Sequence, residues 1–182
     1  MAPTLYTKHM QIRPFFAKDL AHFAQYRNIK DVARYQSWDN YTLADAQRLF
    51  DNMDYTTFGE AGKWFQLAIV DSSSDHLLGD LAIHFIDDEQ VEIGFTIAPT
   101  NQRQGVANNA VTALLEYLFN VLSKHRVIAI TDAKNEAAQR LLKCLGFRLE
   151  AHYMQNIFFK GEWADECLYA MLASEFNSSV GL

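Results

Sequence analysis

The chain has 182 residues, of which 49% are apolar, and its 16 basic and 22 acidic side chains give a formal net charge of −6. A chain of this length and composition is expected to form one globular domain, residues 1–182, around a continuous core. The acidic balance argues against a nucleic-acid binder, which normally presents a basic surface, and suits a cationic partner better.

The apolar runs, the first residues and the cysteines indicate where the protein resides and whether disulfides or metals are expected. No apolar run approaches the roughly 18 residues that span a membrane, and the first residues lack the order of a signal peptide, so cytoplasmic residence is expected. The cysteines, Cys144 and Cys167, lack the spacing of a disulfide framework or of metal ligands. Both are expected to be reduced and structural, and no metal site is predicted.

The first third of the chain predicts one strand followed by helices. Residues 5–14 alternate imperfectly and end at a proline, which indicates an edge strand. A helix is expected to begin near Asp19, its predicted N-cap, and a second helix is expected over residues 29–35. Thr42, followed three residues later by Asp45, forms the pattern of a capping box ahead of a further helix.

The middle of the chain predicts three antiparallel strands and then a strand–helix–strand unit. The three strands are residues 63–70, 77–86 and 91–97, separated by polar turns. After Gly105, apolar residues recur at helical spacing as far as Leu122. Residues 127–131 are almost wholly apolar, as expected of a strand covered on both faces. A strand, a helix and a strand in succession predict one parallel crossover.

The last third predicts one helix and one hairpin. Asn135 is the expected N-cap of the helix, and Gly146 stands where a left-handed C-terminal cap is expected. Residues 147–159 and 163–172 are the predicted arms of a hairpin that turns at Lys160 and Gly161.

The turn before the long helix has the composition of an anion-binding site. It reads Gln102-Arg103-Gln104-Gly105-Val106-Ala107. Small residues let a ligand approach the backbone, and the first turn of the helix presents N–H groups that have no intrahelical acceptor. With the positive end of the helix dipole, these N–H groups favour a phosphate or pyrophosphate. The three glycines of a dinucleotide fingerprint and the Gly-Lys-Ser/Thr of a P-loop are both missing.

This turn fits the pattern Gln/Arg-x-x-Gly-x-Gly/Ala and resembles the coenzyme A pyrophosphate loop of the GNAT N-acetyltransferase superfamily. The order of the predicted elements is also similar to the GNAT fold. Asn135-x-x-Ala138-x-x-Leu141, followed by Leu145-Gly146-Phe147, resembles the second cofactor motif of the family. The ending Gly161-Glu162-Trp163-x-Asp165-x-x-x-Tyr169 and the opening Ile12-Arg13-Pro14-Phe15 with Asp19 resemble the RimJ/RimL branch. The resemblance covers nearly the whole chain. It implies an α+β fold with a mixed, mostly antiparallel sheet, a splayed parallel pair and helices on both faces.

The ligand that the resemblance implies is acetyl-CoA, bound where the two parallel strands separate. The pyrophosphate would rest on the backbone N–H groups of Gln102, Arg103, Gln104, Gly105, Val106 and Ala107. The pantetheine arm would pair with the backbone of Phe95, Thr96 and Ile97. Arg103 is either a phosphate contact or a solvated basic residue. Asn135 resembles the position whose amide contacts the cofactor arm, and it can serve as the N-cap at the same time.

The implied chemistry requires a base for the amine proton, donors for the developing oxyanion and an acid for the leaving thiolate. Glu92 is the candidate base, directly or through water, because it lies on a predicted central strand; the alternative is an exposed or ion-paired glutamate. Family members often carry tyrosine at the position of Leu142, and the RimJ/RimL branch often carries serine at that of Ala138. The thiolate therefore leaves with help from water or from another group such as Tyr153, Tyr169 or Cys144.

The acceptor side is less readable from the sequence. Trp38, Tyr41 and His84 are candidate contacts to the acceptor, and each has a packing role as its alternative. The final hairpin, if exposed, could pair two copies into a homodimer.

The resemblance implies transfer of an acetyl group to a primary amine, and the acceptor class is open. A protein N-terminal α-amine is expected first, because at pH 7 about a tenth of such amines are neutral against about one in a few thousand lysine-like amines. A small-molecule amine, such as a polyamine, an antibiotic or an amino compound, is the second expectation. A non-catalytic acyl-CoA-binding regulatory domain is the third.

Overall fold

The computed structural model describes the backbone of residues 1–180 and the side chains of residues 1–176. Its strands are β1 (Leu5–Tyr6), β2 (Met10–Pro14), β3 (Lys63–Asp71), β4 (Leu77–Phe85), β5 (Gln90–Ile97), β6 (Arg126–Asp132), β7 (Arg148–Phe159) and β8 (Glu162–Leu172). Its helices are α1 (Leu20–Arg27), α2 (Lys30–Ala33), α3 (Leu43–Asp51), α4 (Val106–Glu116), α5 (Glu136–Cys144) and α6 (Ala173–Val180). Within this described part, no helix is long and apolar enough to cross a membrane.

All eight strands form one sheet in the order β1-β2-β3-β4-β5-β6-β8-β7. Every neighbouring pair is antiparallel except β5 and β6, which run parallel. Pairing between β5 and β6 covers only Gln90 with Arg126, Val91 with Val127, and Glu92 with Ile128, although both strands continue beyond it. The predicted mixed sheet with a splayed parallel pair is therefore confirmed.

Helices cover both faces of this sheet, as predicted, because its strands alternate between two apolar cores. On β3, Phe65, Leu67 and Ile69 belong to the core that contains α4. Their neighbours Ala68 and Val70 belong to the second core, which α1 and α3 cover. The α4 core is the larger one and also takes in residues of α5, β8 and α6.

Several local predictions are confirmed. Thr42 and Asp45 form the capping box of α3, in which the Thr42 N–H donates to the Asp45 carboxylate (2.8 Å) and the Asp45 N–H to the Thr42 hydroxyl (3.2 Å). Gly146 follows α5 with a left-handed φ of 92°. The final hairpin turns at Lys160 and Gly161, both of which have positive φ, as a two-residue hairpin turn requires.

Two local predictions are wrong, and a third holds only in part. The first strand is divided into β1 and β2, because the Thr7 hydroxyl and N–H bond to Met10 and reverse the chain. Asp19 is the N-cap residue of α1, as predicted, but its side chain does not cap the helix. Its buried carboxylate accepts instead from Arg13 (2.7 Å) and from the Phe16 N–H (2.7 Å), and a charge-assisted pair is stronger than a neutral cap. The long helix ends at Glu116 and continues only as a π-helical turn, Tyr117–Val121.

A buried polar cluster fastens α1 to the sheet. Asp80 of β4, which is 1% exposed, accepts hydrogen bonds from Tyr26, Gln66 and Arg27, the last at 2.9 Å. Burial lowers the pKa of Arg27, but the negative charge of Asp80 and its hydrogen bond raise that pKa above its ordinary value. The guanidinium is thus a permanent buried charge that Asp80 neutralises.

Replacing Asp80 should destabilise the fold because it leaves the Arg27 charge without a partner. We expect Asp80→Asn to lower the free energy of unfolding by about 3–5 kcal/mol, measured by urea denaturation. Glu136→Gln is the control, since it removes an exposed pair with Arg140 and should cost no more than about 0.5 kcal/mol. Equal losses for the two variants would contradict the role given to Asp80.

Candidate functional site

The divergence of β5 and β6 opens a cleft that holds two adjoining chambers. The outer chamber has a volume of about 710 Å³ and the inner chamber one of about 420 Å³. Both are lined by Tyr35, Gln36, Phe95, Thr96, Asn135 and Ala138. Because these residues are common to both, the chambers form one continuous site with a junction at the splayed strands.

The outer chamber brings together most of the residues predicted to bind the cofactor. Its walls include Phe95, Thr96, Ile97, Gln102, Arg103, Gly105, Val106, Ala107 and Asn135. Gln104 does not line it and instead donates from Nε2 to the Thr100 carbonyl (2.9 Å). Arg140 of α5 also lines this chamber, so two arginine residues, Arg103 and Arg140, contribute to its walls. The exposed guanidinium of Arg140 is paired with Glu136 (3.0 Å).

The turn before α4 has the geometry of an anion cradle. Gly105 has φ 78° and Arg103 φ 62°, so the chain turns through two left-handed positions ahead of the helix. A Cβ at Gly105 would approach only Asn109 Nδ2, at 3.7 Å, so the positive φ rather than crowding favours glycine there. No side chain caps α4, which leaves the first-turn N–H groups free for a phosphate.

Two amides add donors to this chamber. Asn135 caps α5 through Oδ1, which accepts from the Ala138 N–H (3.2 Å), and its Nδ2 makes no hydrogen bond within the described residues. The N-cap prediction is therefore confirmed, and the amide nitrogen is left over for a ligand. Asn101, which the sequence did not single out, also lines the chamber, and its buried Nδ2 has no hydrogen-bond partner in the part of the chain that the structure describes.

The inner chamber is aromatic and acidic. The residues that line it include Tyr35, Trp38, Trp64, Phe159, Asp80, Asp132 and Glu166. Asp132 on β6 and Glu166 on β8 lie directly opposite each other in the sheet. Ala138 and Leu142 also line this chamber, so the two positions that lack a hydroxyl group do face the site.

Glu92 and His84 lie side by side on the same face of the sheet. They are opposite each other on β5 and β4, with His84 Nδ1 3.6 Å from Glu92 Oε2, and both side chains are about one-quarter exposed. Trp64, opposite His84 on β3, stacks on its ring at 4.5 Å. Only Trp64 of this row lines the inner chamber, so Glu92 lies two residues along the strand from the chamber wall at Gly94.

Of the other residues that the sequence suggested for the acceptor site or the general acid, Trp38 alone lines a chamber. Trp38 lines the inner chamber, whereas Tyr41 packs on Trp38 and Arg27 in the core beneath it. Tyr169 is fully buried and donates to Gln139 (3.0 Å). Neither Tyr153 nor Cys144 lines either chamber. The tyrosine at the junction is Tyr35, whose hydroxyl donates to the Lys134 carbonyl (3.2 Å).

Sequence reasoning missed Trp64, Asp132, Glu166 and Tyr35 as lining residues. The sequence holds a partial signal for Trp64, because side chains two residues apart in a strand point to the same face, which puts Trp64 beside Gln66. The pairing of β3 with β4 then brings His84 opposite Trp64. Glu166 and Asp132 meet only through the pairing of β6 with β8, which the sequence does not specify.

Comparison with known proteins supplies further findings. Residues 9–148 match the family described as acetyltransferase (GNAT) domain. The chain is 31% identical over 172 residues to the uncharacterized N-acetyltransferase YnaD of Bacillus subtilis (strain 168), covering 94% of this chain and 98% of the relative. It is 26% identical over 154 residues to a spermidine N(1)-acetyltransferase of Escherichia coli (strain K12), and the match covers 85% of this chain and 81% of that relative. The structure of a GNAT-family acetyltransferase from Bacillus anthracis superimposes with a TM-score of 0.85 at 25% sequence identity, and the match covers 95% of this chain and 100% of that one.

Proposed function

Because the chain belongs to the GNAT acetyltransferase family and is thus an acetyl-CoA-dependent N-acetyltransferase, we propose that it acetylates a small amine that carries more than one positive charge. The observation that carries this proposal is the pair of carboxylates, Asp132 and Glu166, in the wall of the inner chamber. The amine would occupy the inner chamber and acetyl-CoA the outer one.

The outer chamber suits acetyl-CoA in both charge and shape. We assign the pyrophosphate to the free N–H groups at the start of α4, with Arg103 and Arg140 as flanking cations. The edge of β5 beyond Glu92 has no strand partner on the β6 side, so its backbone can pair with the pantetheine arm. Asn135 Nδ2 would donate to the same arm. Bound acetyl-CoA supplies the acetyl thioester at the junction of the two chambers.

The acidic pair in the inner chamber favours a cationic acceptor. Asp132 and Glu166 form no ion pair within the described residues; Asp132 accepts from the Lys134 N–H (2.6 Å) and Glu166 from Asn156 Nδ2 (2.6 Å). Like charges directly opposite in a sheet are destabilising, and an ammonium group between them would remove that cost. Trp38 and Trp64 add aromatic surface that suits alkylammonium groups. The relative named spermidine N(1)-acetyltransferase acts on an amine of this kind.

Glu92 is the base in this proposal. At pH 7 an alkylammonium is neutral in only about one molecule in a few thousand, so a proton acceptor is needed before the nitrogen can attack the thioester carbonyl. Glu92 would take that proton through water, since it lies two residues from the chamber wall; His84 Nδ1 is 3.6 Å from its carboxylate. The proton for the leaving thiolate would come from Tyr35 at the junction or from water.

A peptide N-terminal α-amine is the second candidate, and one observation favours it. Arg27 lines the inner chamber, and its buried Nε has no hydrogen-bond partner within the described residues. A peptide carbonyl could accept from that Nε, whereas a polyamine has no carbonyl to offer.

A panel of acceptors separates these candidates. We expect acetyl-CoA-dependent thiol release to be fastest with spermidine, with kcat/KM at least about tenfold above that for n-butylamine, because the second ammonium gains a charge-assisted contact. Glu166→Gln should lower kcat/KM for spermidine about tenfold, whereas kcat/KM for n-butylamine should stay within about twofold of the wild-type value. Glu162→Gln is the control, since Glu162 is in the same hairpin but pairs with Lys134 outside the chamber. A lysine-free peptide with a free N-terminus as the fastest acceptor would overturn the proposal.

The role of Glu92 is tested by an isosteric change. Glu92→Gln keeps the shape of the side chain and removes its basicity, so kcat/KM should fall by about 10²–10⁴ while the Kd for coenzyme A stays unchanged. Glu89→Gln, in the exposed turn before β5, should retain full activity. If Glu92→Gln kept the wild-type rate throughout the pH profile, Glu92 would not be the base.

A further inference from the structure

The wall of the inner chamber opposite the sheet is a short connecting segment. We call residues 33–39, which run from the last residue of α2 toward α3, the strap. Four consecutive strap residues line the inner chamber, namely Tyr35, Gln36, Ser37 and Trp38. The facing wall on the far side comes from the β7–β8 hairpin, through Ile157, Phe159 and Glu166. The width of the chamber therefore depends on how the strap sits relative to the hairpin.

Lys160, at the turn of the hairpin, connects these two walls. Its Nζ donates to the carbonyls of Ala33 (2.7 Å) and Trp38 (2.9 Å) and lies 2.8 Å from Asp39 Oδ1. Ala33 and Asp39 are the two ends of the strap, and the three contacts match the three hydrogens of an ammonium group. The side chain is 25% exposed, against 67% for Lys134 in an ordinary surface pair.

The geometry of the turn presents Lys160 in this direction. Lys160 has φ 50° and Gly161 φ 88°, the two left-handed positions of a tight hairpin turn. A lysine at a left-handed position is uncommon, and here its long side chain is the group that reaches the strap. Within the described residues, every hydrogen bond between strap and hairpin comes from Lys160.

Other ties hold the strap to different parts of the molecule. Tyr35 donates to the Lys134 carbonyl (3.2 Å) before α5, and Trp38 Nε1 donates to the Arg27 carbonyl (3.1 Å) at the end of α1. Losing Lys160 would therefore release the strap from the hairpin while leaving it attached to α1 and to the β6–α5 loop. The expected result is a wider inner chamber in a folded protein.

We propose that Lys160 is a positioning residue that sets the width of the acceptor chamber by holding the strap against the β7–β8 hairpin. The assignment of the inner chamber to the acceptor rests on the proposed function; the contact between strap and hairpin does not. Lys160 touches no reacting atom, so its loss should weaken acceptor binding and leave the chemical step intact.

The test uses Lys160→Met, which keeps the length of the side chain and removes its donors and charge, and Lys160→Arg, which restores them. With spermidine and n-butylamine as acceptors, Lys160→Met should raise the acceptor KM about tenfold, the effect of one lost charge-assisted bond, with kcat within about threefold. Lys160→Arg should return the KM to within about threefold of wild type. Lys18→Met, which removes an exposed pair with Asp75 in the β3–β4 turn, is the control and should change neither constant.

A second readout needs no acceptor. Trypsin cleavage after Arg34, which lies in the strap, should be about tenfold faster in Lys160→Met than in wild type or Lys18→Met, followed by mass spectrometry. If Lys160→Met were cleaved after Arg34 at the wild-type rate, Lys160 would not hold the strap against the hairpin. Faster cleavage with an unchanged acceptor KM would overturn the claim that the strap sets the chamber width. If no amine is acetylated by the wild-type protein, the proposed function fails, while the cleavage result still decides the fastening.

Discussion

The site depends on one constraint, the early end of pairing between β5 and β6. Three residue pairs hold the two strands together, and beyond Glu92 and Ile128 they diverge although both continue. A strand in the middle of a sheet is thereby left with a free edge, whose N–H and C=O groups need partners. The same divergence opens the two chambers and places the start of α4 at one end of the cleft and the acidic inner wall at the other. In the proposed function, a coenzyme arm that pairs like a strand would satisfy this free edge, and its reactive end would lie at the junction of the chambers.

Charged residues are distributed unevenly between the two chambers. Arg103 and Arg140 line the outer chamber, where the proposed function puts the pyrophosphate, and Asp132 and Glu166 line the inner chamber, where it puts the cationic amine. Arg27 also lines the inner chamber, but it does not make that chamber basic, because Asp80 neutralises its charge within the buried cluster that anchors α1. The strap is bonded to the same helix α1, because Trp38 Nε1 donates to the Arg27 carbonyl, so the buried cluster also supports this wall of the inner chamber.

The sequence predicted what is local and periodic, and less of what depends on distant pairing. The strands from β3 to β8, the helix caps at Thr42 and Asn135, and the glycine turn before α4 follow from spacing and side-chain chemistry, and the structure confirms them. Asp19 has the predicted N-cap position, but its carboxylate does not cap α1, because it accepts from the charged guanidinium of Arg13 on β2. Trp64, Glu166 and Lys160 acquire their places in the site only through strand register and the fold of the final hairpin, which no short pattern specifies.

The central claim is that the free edge of β5 receives the coenzyme, and backbone hydrogen exchange tests it most directly. With coenzyme A at saturation, the amides of β5 beyond Glu92 that face β6 should exchange at least about tenfold more slowly, while those of β2 stay unchanged. Unchanged exchange along β5 in a protein that demonstrably binds coenzyme A would contradict the account.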